Sequence, residues 1–218
     1  MARFKVVVFD FDYTLADSSR GVLECVNYAL RGLGLPQVDA EEAQRTIGLS
    51  LTDTLVTLRG REHAHRGEEF ASLFIKRADE VMADLTVVFD HAPIVIGCLK
   101  RRGLSLGIVS TKFRYRIEDI LGREGLLEPF DVIVGGEDVS RHKPDPEGLL
   151  RATRMLKGTK SDTLYVGDSV TDAETARRAG IPFVAVLSGV TPREAFNDYP
   201  ALLILEDLKG LIASTLKG

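Results

Sequence analysis

The sequence predicts an α/β protein with a doubly wound parallel β-sheet and an inserted all-helical domain. Two observations support this class. Short apolar runs rich in β-branched residues alternate with helical segments from about residue 92 onward, and one such run near the start precedes a long helical stretch. Alternating strands and helices are typical of a parallel sheet with helices on both faces.

The first strand is expected at Phe4–Phe9, an apolar run of the kind that is buried on both faces. It must join the later strands in one sheet, because a lone strand would leave its backbone groups unpaired. The later strands are expected at Leu104–Ser110, Val132–Gly135, Leu164–Val166, Phe183–Val186 and near Leu202–Leu205. The helices between them are expected at Ala92–Arg102, Arg114–Leu121, Pro146–Leu156 and Thr171–Ala179, followed by a terminal helix.

The segment between the first strand and this alternating region has helical periodicity and almost no strand pattern. Its helices are expected from Ser18 or Ser19 to Gly32 or Gly34, and at Ala40–Thr46, Thr52–Leu58 and Gly67–Ala83. We therefore predict a core domain of residues 1–15 and 85–218 and a helical cap domain of residues 16–84. The cap is expected over the carboxyl end of the sheet, where ligands bind in such folds, with hinges at Leu15–Ser18 and Leu85–Phe89.

Composition narrows the possible partners of the chain. The 218 residues are 44% apolar and 28% charged, and the net charge is −4. This balance gives no electrostatic reason to expect nucleic acid or an anionic membrane as a partner, and no apolar run is long enough to cross a bilayer. Cys25 and Cys98 lie far apart in apolar helical segments, which is typical of core residues in a reducing compartment. We expect a cytoplasmic protein; the sequence carries no feature that specifies an oligomeric state.

Two aspartates, Asp10 and Asp12, follow the first strand directly. In an extended segment, residues two apart point to the same side, so both carboxylates can face one site. Two such carboxylates repel each other by about 4 kcal/mol at an effective dielectric of 20, and a bound Mg²⁺ would remove that penalty. A surface turn with two solvated aspartates explains this motif alone equally well.

Three later segments carry polar groups at the predicted carboxyl ends of strands or just beyond them. Ser110, Thr111 and Lys112 follow one strand, Lys143 lies in a proline-rich turn before a helix, and Gly167–Asp172 follows another strand. Each has a plainer explanation, such as a helix cap or a solvated lysine. Their agreement in position indicates a single site at one edge of the sheet.

These residues resemble, in order, the four motifs of the haloacid dehalogenase superfamily: Asp10-Phe-Asp12-Tyr-Thr14, Ser110, Lys143-Pro144 and Gly167-Asp168-Ser169-x-x-Asp172. The likeness covers nearly the whole chain and is greatest to phosphoglycolate phosphatases, which have a Rossmann-like core and a helical cap of the C1 type. Two positions depart from the usual pattern. Tyr13 replaces a glycine, and Thr111 replaces an asparagine.

The resemblance implies that Asp10 is a nucleophile that forms an aspartyl-phosphate, and that Asp12 acts as general acid and then as general base. It also implies a Mg²⁺ ion held by the carboxylates of Asp10 and Asp168 and by the backbone carbonyl of Asp12. Phosphoryl oxygens would be bound by Ser110, Lys143 and the backbone amides of Phe11, Asp12 and Thr111. Behind them, Asp172 and Ser169 are expected to orient Lys143 or the metal-bound water.

The partner that these motifs imply is a small phosphorylated metabolite, and its leaving group is expected to be read by the cap. Arg20, Arg45 and Lys76 are the candidates there, although each is also consistent with a solvated surface residue. Phosphoglycolate, a nucleoside monophosphate, pyrophosphate and other small esters all fit the motifs. A sugar phosphomutase of the same superfamily is the nearest alternative, and a phospho-receiver signalling module is a distant one.

Overall fold

The structure, a computed structural model, describes residues 4–215. Its central feature is a six-stranded sheet in the order β5-β4-β1-β6-β7-β8, in which all neighbouring strands are parallel. These strands are β1 Val6–Phe9, β4 Ser105–Val109, β5 Val132–Val134, β6 Thr163–Gly167, β7 Phe183–Val186 and β8 Ala201–Leu205. Two shorter strands, β2 Ala16–Asp17 and β3 Val87–Val88, pair with each other outside this sheet.

Nine helices lie within the described part of the chain. They are α1 Ser19–Gly32, α2 Ala40–Gln44, α3 Leu51–Arg59, α4 Gly67–Leu85, α5 Ala92–Arg101, α6 Arg114–Arg123, α7 Glu147–Met155, α8 Val170–Ala179 and α9 Lys209–Thr215. Short 3₁₀ turns occupy Arg61–Arg66, Gly136–Asp138 and Arg193–Phe196. None of the helices described here combines the length and apolarity needed to cross a membrane.

The expected parallel α/β fold with helical segments is confirmed. The predicted helices and sheet strands all occur, with ends that differ by one or two residues; β1, for example, begins at Val6 instead of Phe4. The two-residue strands were missed because two residues show no alternation, and the 3₁₀ turns were missed because they make at most two turns of helix.

Contacts between residues divide the chain into two compact units, Met1–Ala16 with Val88–Gly218, and Asp17–Val87. We call the first the sheet unit and the second the insert unit. Residues 1–3 and 216–218 of the predicted core domain lie outside the described residues. The placement of the insert over the sheet stays a prediction.

The sheet unit is held together by apolar side chains between its strands and helices. α7 packs against β1, β4 and β5, and α8 packs against β6 and β7. All four residues of β1 are buried, as are all five of β6, so these central strands are covered on both faces. Burial on both faces makes β1 and β6 a rigid base for the residues that follow them.

The insert unit has an apolar core of its own, built mainly by α1 and α4. Both helices are amphipathic; Cys25, Val26 and Leu30 of α1 are buried with Phe70 and Phe74 of α4. A capping box at Asp39 and Glu42 starts α2, and Ser50 caps α3. The unit can thus bury apolar surface without contributions from the sheet.

Candidate active site

The carboxyl ends of three neighbouring strands bring the first site residues together. β1 lies between β4 and β6, with Phe9 paired in register to Ile108 and to Val166. Asp10 follows β1 directly, and its backbone N–H donates a hydrogen bond to the Val166 carbonyl at 2.8 Å. Ser110 follows β4 and Asp168 follows β6, so these side chains start from the same edge of the sheet.

Lys143 supplies a buried positive charge to this edge. Its side chain is only 5% exposed, and its Nζ lies 2.9 Å from Asp10 Oδ1 and 2.6 Å from Asp172 Oδ1. Burial alone would lower the pKa of this ammonium, but the two carboxylates outweigh burial and raise the pKa above its usual value. Lys143 is therefore a fixed cation between two acidic side chains.

Asp172 is held in place by hydrogen bonds as well as by this ion pair. Asp172 Oδ2 accepts hydrogen bonds from Ser169 Oγ at 2.6 Å and from the Ser169 N–H at 3.2 Å. The Asp172 N–H donates back to Ser169 Oγ at 3.1 Å, and the two backbone N–H bonds form the capping box of α8. Tyr165, fully buried in β6, donates its hydroxyl to Asp172 Oδ1 at 2.8 Å. Burial, followed by the nearby charge of Asp172, raises the pKa of Tyr165 well above 10, so Tyr165 remains a donor.

The nucleophile candidate, Asp10, is buried in an acidic environment. Desolvation raises its pKa to about 7; Lys143 opposes this shift, and the charges of Asp172 and Asp12 add to it. Burial and the charges of Asp172 and Asp10 likewise raise the pKa of Asp168. Although Lys143 Nζ is 2.9 Å away, Asp10 Oδ1 is buried without a well-directed hydrogen bond from any described group.

These features fit a hard divalent cation. Carboxylate oxygens of Asp10, Asp168 and Asp172 lie within 4.8 Å of one another, and all three residues are buried. A buried carboxylate oxygen with no directed donor needs a cation or a proton to offset its desolvation. Oxygen-only ligands of this kind suit Mg²⁺, which is usually bound through one or two carboxylates.

Asp168 also has close contacts with the loops on either side of it. Thr14 Oγ1 donates to Asp168 Oδ1 at 3.4 Å. On the other side, the loop after β7 passes so near that a Cβ atom at Gly189 would overlap the Asp168 carboxylate. Only glycine fits this approach without moving the loop or the aspartate.

A second buried lysine, Lys112, contacts the other member of the first motif. Lys112 Nζ lies 3.3 Å from Asp12 Oδ1, and the two side chains are 6% and 8% exposed. The sequence interpretation used this segment only for the hydroxyl of Ser110 and for backbone amides. The contact therefore places a second buried ammonium group next to Asp12.

The other predicted groups of the sheet unit lie in the loops at the same edge. Phe11 and Asp12 are in the buried turn after β1, and Thr111 follows Ser110 after β4. Tyr13 occupies the left-handed backbone region with φ of 57° and has a buried side chain. The usual glycine would adopt this conformation without the strain that a side chain adds.

The insert candidates lie on different elements of the insert unit. Arg20 is exposed on α1 and lines a cavity of about 640 Å³ together with Arg31 and Arg77. Arg45 is exposed at the end of α2 and forms an ion pair with Glu41, and Lys76 is exposed on α4. Their roles in substrate recognition stay predictions.

Sequence reasoning missed three contacts in the site: that of Lys112 with Asp12, that of Tyr165 with Asp172 and that of Thr14 with Asp168. A weak signal existed for Tyr165, because a tyrosine in a fully buried strand usually finds a partner for its hydroxyl. For Thr14 and Lys112 the sequence predicts that the residues lie in loops at the edge of the sheet, but not where their side chains point. The direction of these side chains depends on how the loops pack.

A parallel α/β core with buried acidic and ammonium groups at the carboxyl ends of its central strands defines a class of hydrolytic enzymes, and comparisons with known proteins agree with that class. Residues 7–186 match the family of haloacid dehalogenase-like hydrolases. Phosphoglycolate phosphatase from Salmonella typhi is 32% identical over 84% of this chain and 81% of its own length. The Escherichia coli K12 phosphoglycolate phosphatase is 29% identical over 94% of this chain and 90% of its own.

A solved structure of a haloacid dehalogenase-like hydrolase from Bacteroides fragilis is 42% identical to this chain. It superposes with a TM-score of 0.92 and covers 96% of this chain and 100% of its own. The chain therefore belongs to the haloacid dehalogenase-like hydrolase family. Within that family, its curated relatives indicate a hydrolase of the phosphatase type.

Proposed function

We propose that this chain is a Mg²⁺-dependent phosphatase that hydrolyses a small phosphomonoester of the phosphoglycolate type through an aspartyl-phosphate. The observation that carries the proposal is the group around Asp10. A buried carboxylate, one oxygen of which has no well-directed hydrogen bond, lies 2.9 Å from a buried ammonium and close to two further buried acids. Such a group suits attack on an anion only if positive charge surrounds the reacting atoms.

Asp10 is the proposed nucleophile. Its carboxylate attacks phosphorus, the bond to the ester oxygen breaks, and the phosphoryl group is transferred to Asp10. Lys143, 2.9 Å from Asp10 Oδ1, offsets the repulsion between the carboxylate and the phosphate dianion. Ser110 and the backbone amides of Phe11, Asp12 and Thr111 are the proposed donors to the phosphoryl oxygens.

Asp12 is the proposed general acid and base. It protonates the departing alkoxide and then takes a proton from the water that hydrolyses the aspartyl-phosphate. Its side chain is almost fully buried and lies against Lys112, so solvent does not compete for the carboxyl group. Asp172 and Ser169 act indirectly, because they hold Lys143 and each other in place.

The proposed ligands of Mg²⁺ are the carboxylates of Asp10 and Asp168 and the backbone carbonyl of Asp12. When bound, the ion would supply positive charge to the phosphoryl group. The buried carboxylate oxygens around Asp10 support this assignment.

The proposed substrate class rests on the relatives, which are phosphoglycolate phosphatases at 32% and 29% identity. The proposed partner is thus a small phosphorylated metabolite. Its leaving group is proposed to be recognised in part by Arg20, Arg45 and Lys76. We place the enzyme in the cytoplasm, where such metabolites are found. Its two free cysteines, Cys25 and Cys98, suit that reducing compartment.

A phosphate-release assay over a panel of small phosphate esters tests the proposal. The wild-type protein should release phosphate with Mg²⁺ and lose this activity when the metal is chelated. Asp10→Asn should lower kcat by at least about 10⁴-fold and abolish covalent trapping of phosphate, because an amide cannot replace the nucleophile. Substantial turnover by the variant would contradict the mechanism, and isomerisation of a hexose phosphate without phosphate release would indicate the mutase instead.

A further inference from the structure

We propose that Lys112 is a specificity residue that binds a carboxylate on the leaving group of the substrate. The inference rests on the proposed function and goes beyond it, because it names the group that would select phosphate esters with a carboxylate on the carbon next to the ester oxygen. Neither the four sequence motifs nor the expected cap residues assign this role to Lys112.

The site contains two buried ammonium groups with different partners. Lys143 contacts Asp10 and Asp172, at the nucleophile. Lys112 contacts Asp12 at 3.3 Å and is only 6% exposed. A buried charge is costly unless it is paired, and the pairing of Lys112 is with the proposed acid and base.

The contact with Asp12 limits how far Lys112 lies from the leaving group. To protonate the leaving oxygen, the Asp12 carboxyl must come within about 3 Å of it. Lys112 Nζ lies 3.3 Å from Asp12 Oδ1. If Oδ1 carries the proton, the ammonium lies within about 6 to 7 Å of the ester oxygen, a distance that a carboxylate on the next carbon can span.

Lys112 can bind Asp12 and a substrate carboxylate together. A carboxylate one carbon away from the ester oxygen enters the space next to Asp12 and loses its hydration there. An ammonium carries three N–H donors, so Lys112 can donate to Asp12 Oδ1 and to a substrate carboxylate at the same time. The charge of Lys112 then replaces the lost hydration of the carboxylate, a contact that an uncharged leaving group does not make.

The test compares 2-phosphoglycolate with ethyl phosphate, which has the same two-carbon leaving group without the carboxylate. Lys112→Met keeps the length of the side chain and removes its charge. We expect kcat/KM for 2-phosphoglycolate to fall by about 30- to 1,000-fold, with much of the loss in KM, because the cation that binds the substrate carboxylate is removed. The value for ethyl phosphate should change much less, so the preference of the wild-type protein for 2-phosphoglycolate should collapse.

Lys112→Arg is the control for charge and for folding, since it keeps a cation at this position, and it should retain a measurable part of the preference. Binding gives a second readout: calorimetry with Asp10→Asn should show weaker binding of 2-phosphoglycolate, but not of ethyl phosphate, when Lys112→Met is added.

An equal loss on both substrates would overturn the inference, because it would show that Lys112 only positions Asp12. Wild-type protein that hydrolyses both esters equally well would also overturn it, while leaving the phosphatase proposal intact. Protein that releases phosphate from neither these nor the other esters of the panel would overturn the proposed function and the inference together.

Discussion

The buried charged residues of the site do not cancel one another. Four carboxylates, Asp10, Asp12, Asp168 and Asp172, and two ammonium groups, Lys112 and Lys143, all have side chains that solvent hardly reaches. If every group is ionised, two negative charges remain, which one divalent cation neutralises. Without that cation, protons can do the same: burial first, and then the neighbouring negative charges, raise the pKa values of Asp10 and Asp168.

Tyr13 combines a strained backbone conformation with a buried side chain. Its φ of 57° costs energy for any residue with a Cβ atom, whereas its buried side chain contributes packing. Replacing it by Ala and by Gly separates the two effects, because both variants lose the ring and only Gly loses the backbone strain. Tyr13→Gly should be more stable than Tyr13→Ala by about 1 kcal/mol, measured by urea unfolding.

Lys157 provides the control, because it has a φ of 56° on the surface of the sheet unit. The same Gly-minus-Ala difference should appear there, without any loss of buried side-chain packing. Equal stability of the two Tyr13 variants, alongside a clear difference at Lys157, would show that the loop after β1 relaxes.

At this scale, the sequence predicted where the acidic residues lie but not which atoms they meet. The motifs placed Asp10, Ser110 and Asp168 at strand ends, and parallel register then fixed them at one edge. Tyr165 and Lys112 depend on side-chain directions, which follow from packing between segments far apart in sequence. Pattern reasoning contains no information on such contacts.

At the scale of secondary-structure elements, sequence patterns predicted the α-helices and the strands of three residues or more. Strands β2 and β3 have two residues each and pair with each other. Two residues are too few to show an alternation of apolar and polar side chains, so the sequence does not predict these strands. Helix ends were approximate, because caps depend on single side chains: α1 begins at Ser19 without a side-chain cap, whereas Ser169 caps α8.

Asp131 illustrates how one carboxylate joins two elements. It precedes β5, accepts the backbone N–H of Leu106 in β4 at 2.9 Å, and pairs with Lys100 of α5 at 3.0 Å. Partial burial opposes ionisation, but these donors outweigh it and hold the pKa of Asp131 below 3.8. The ionised form thus stabilises the fold above the pKa of the unfolded chain, and this contribution is lost as the pH falls through the folded pKa.

Asp131→Asn should therefore lower the free energy of unfolding by about 1 kcal/mol at pH 7, after allowance for the exposed part of the side chain. The difference from wild type should shrink below about pH 4 as the aspartate becomes protonated. Urea unfolding at a series of pH values checks this, with Asp119→Asn, an exposed acid on α6, as the control. A pH-independent difference would mean that the amide disturbs packing instead.

At the scale of the whole molecule, two units have separate apolar cores. Phe70 is fully buried in the insert unit, and Phe196 is 1% exposed in the sheet unit. Phe70→Ala should destabilise the insert core by about 3–5 kcal/mol. In hydrogen exchange, amides of residues 17–87 should lose protection while those of β1, β4 and β6 keep it.

Phe196→Ala is the matched change in the other unit and should give the reverse pattern. Loss of protection throughout the chain in both variants would show that the two cores unfold as one cooperative unit. The sequence predicts two parts, because a helical stretch interrupts a pattern of alternating strands and helices. The orientation of the parts depends on contacts that no local pattern encodes.

The position of β1 at the centre of the sheet has a consequence for biosynthesis. A ribosome makes Asp10 before the two strands that flank β1, because β4 and β6 both lie later in the sequence. Lys143 and Asp168 are translated later still than β4. A nascent polypeptide thus carries the proposed nucleophile without its charged partners until β6 and the residues that follow it have left the exit tunnel.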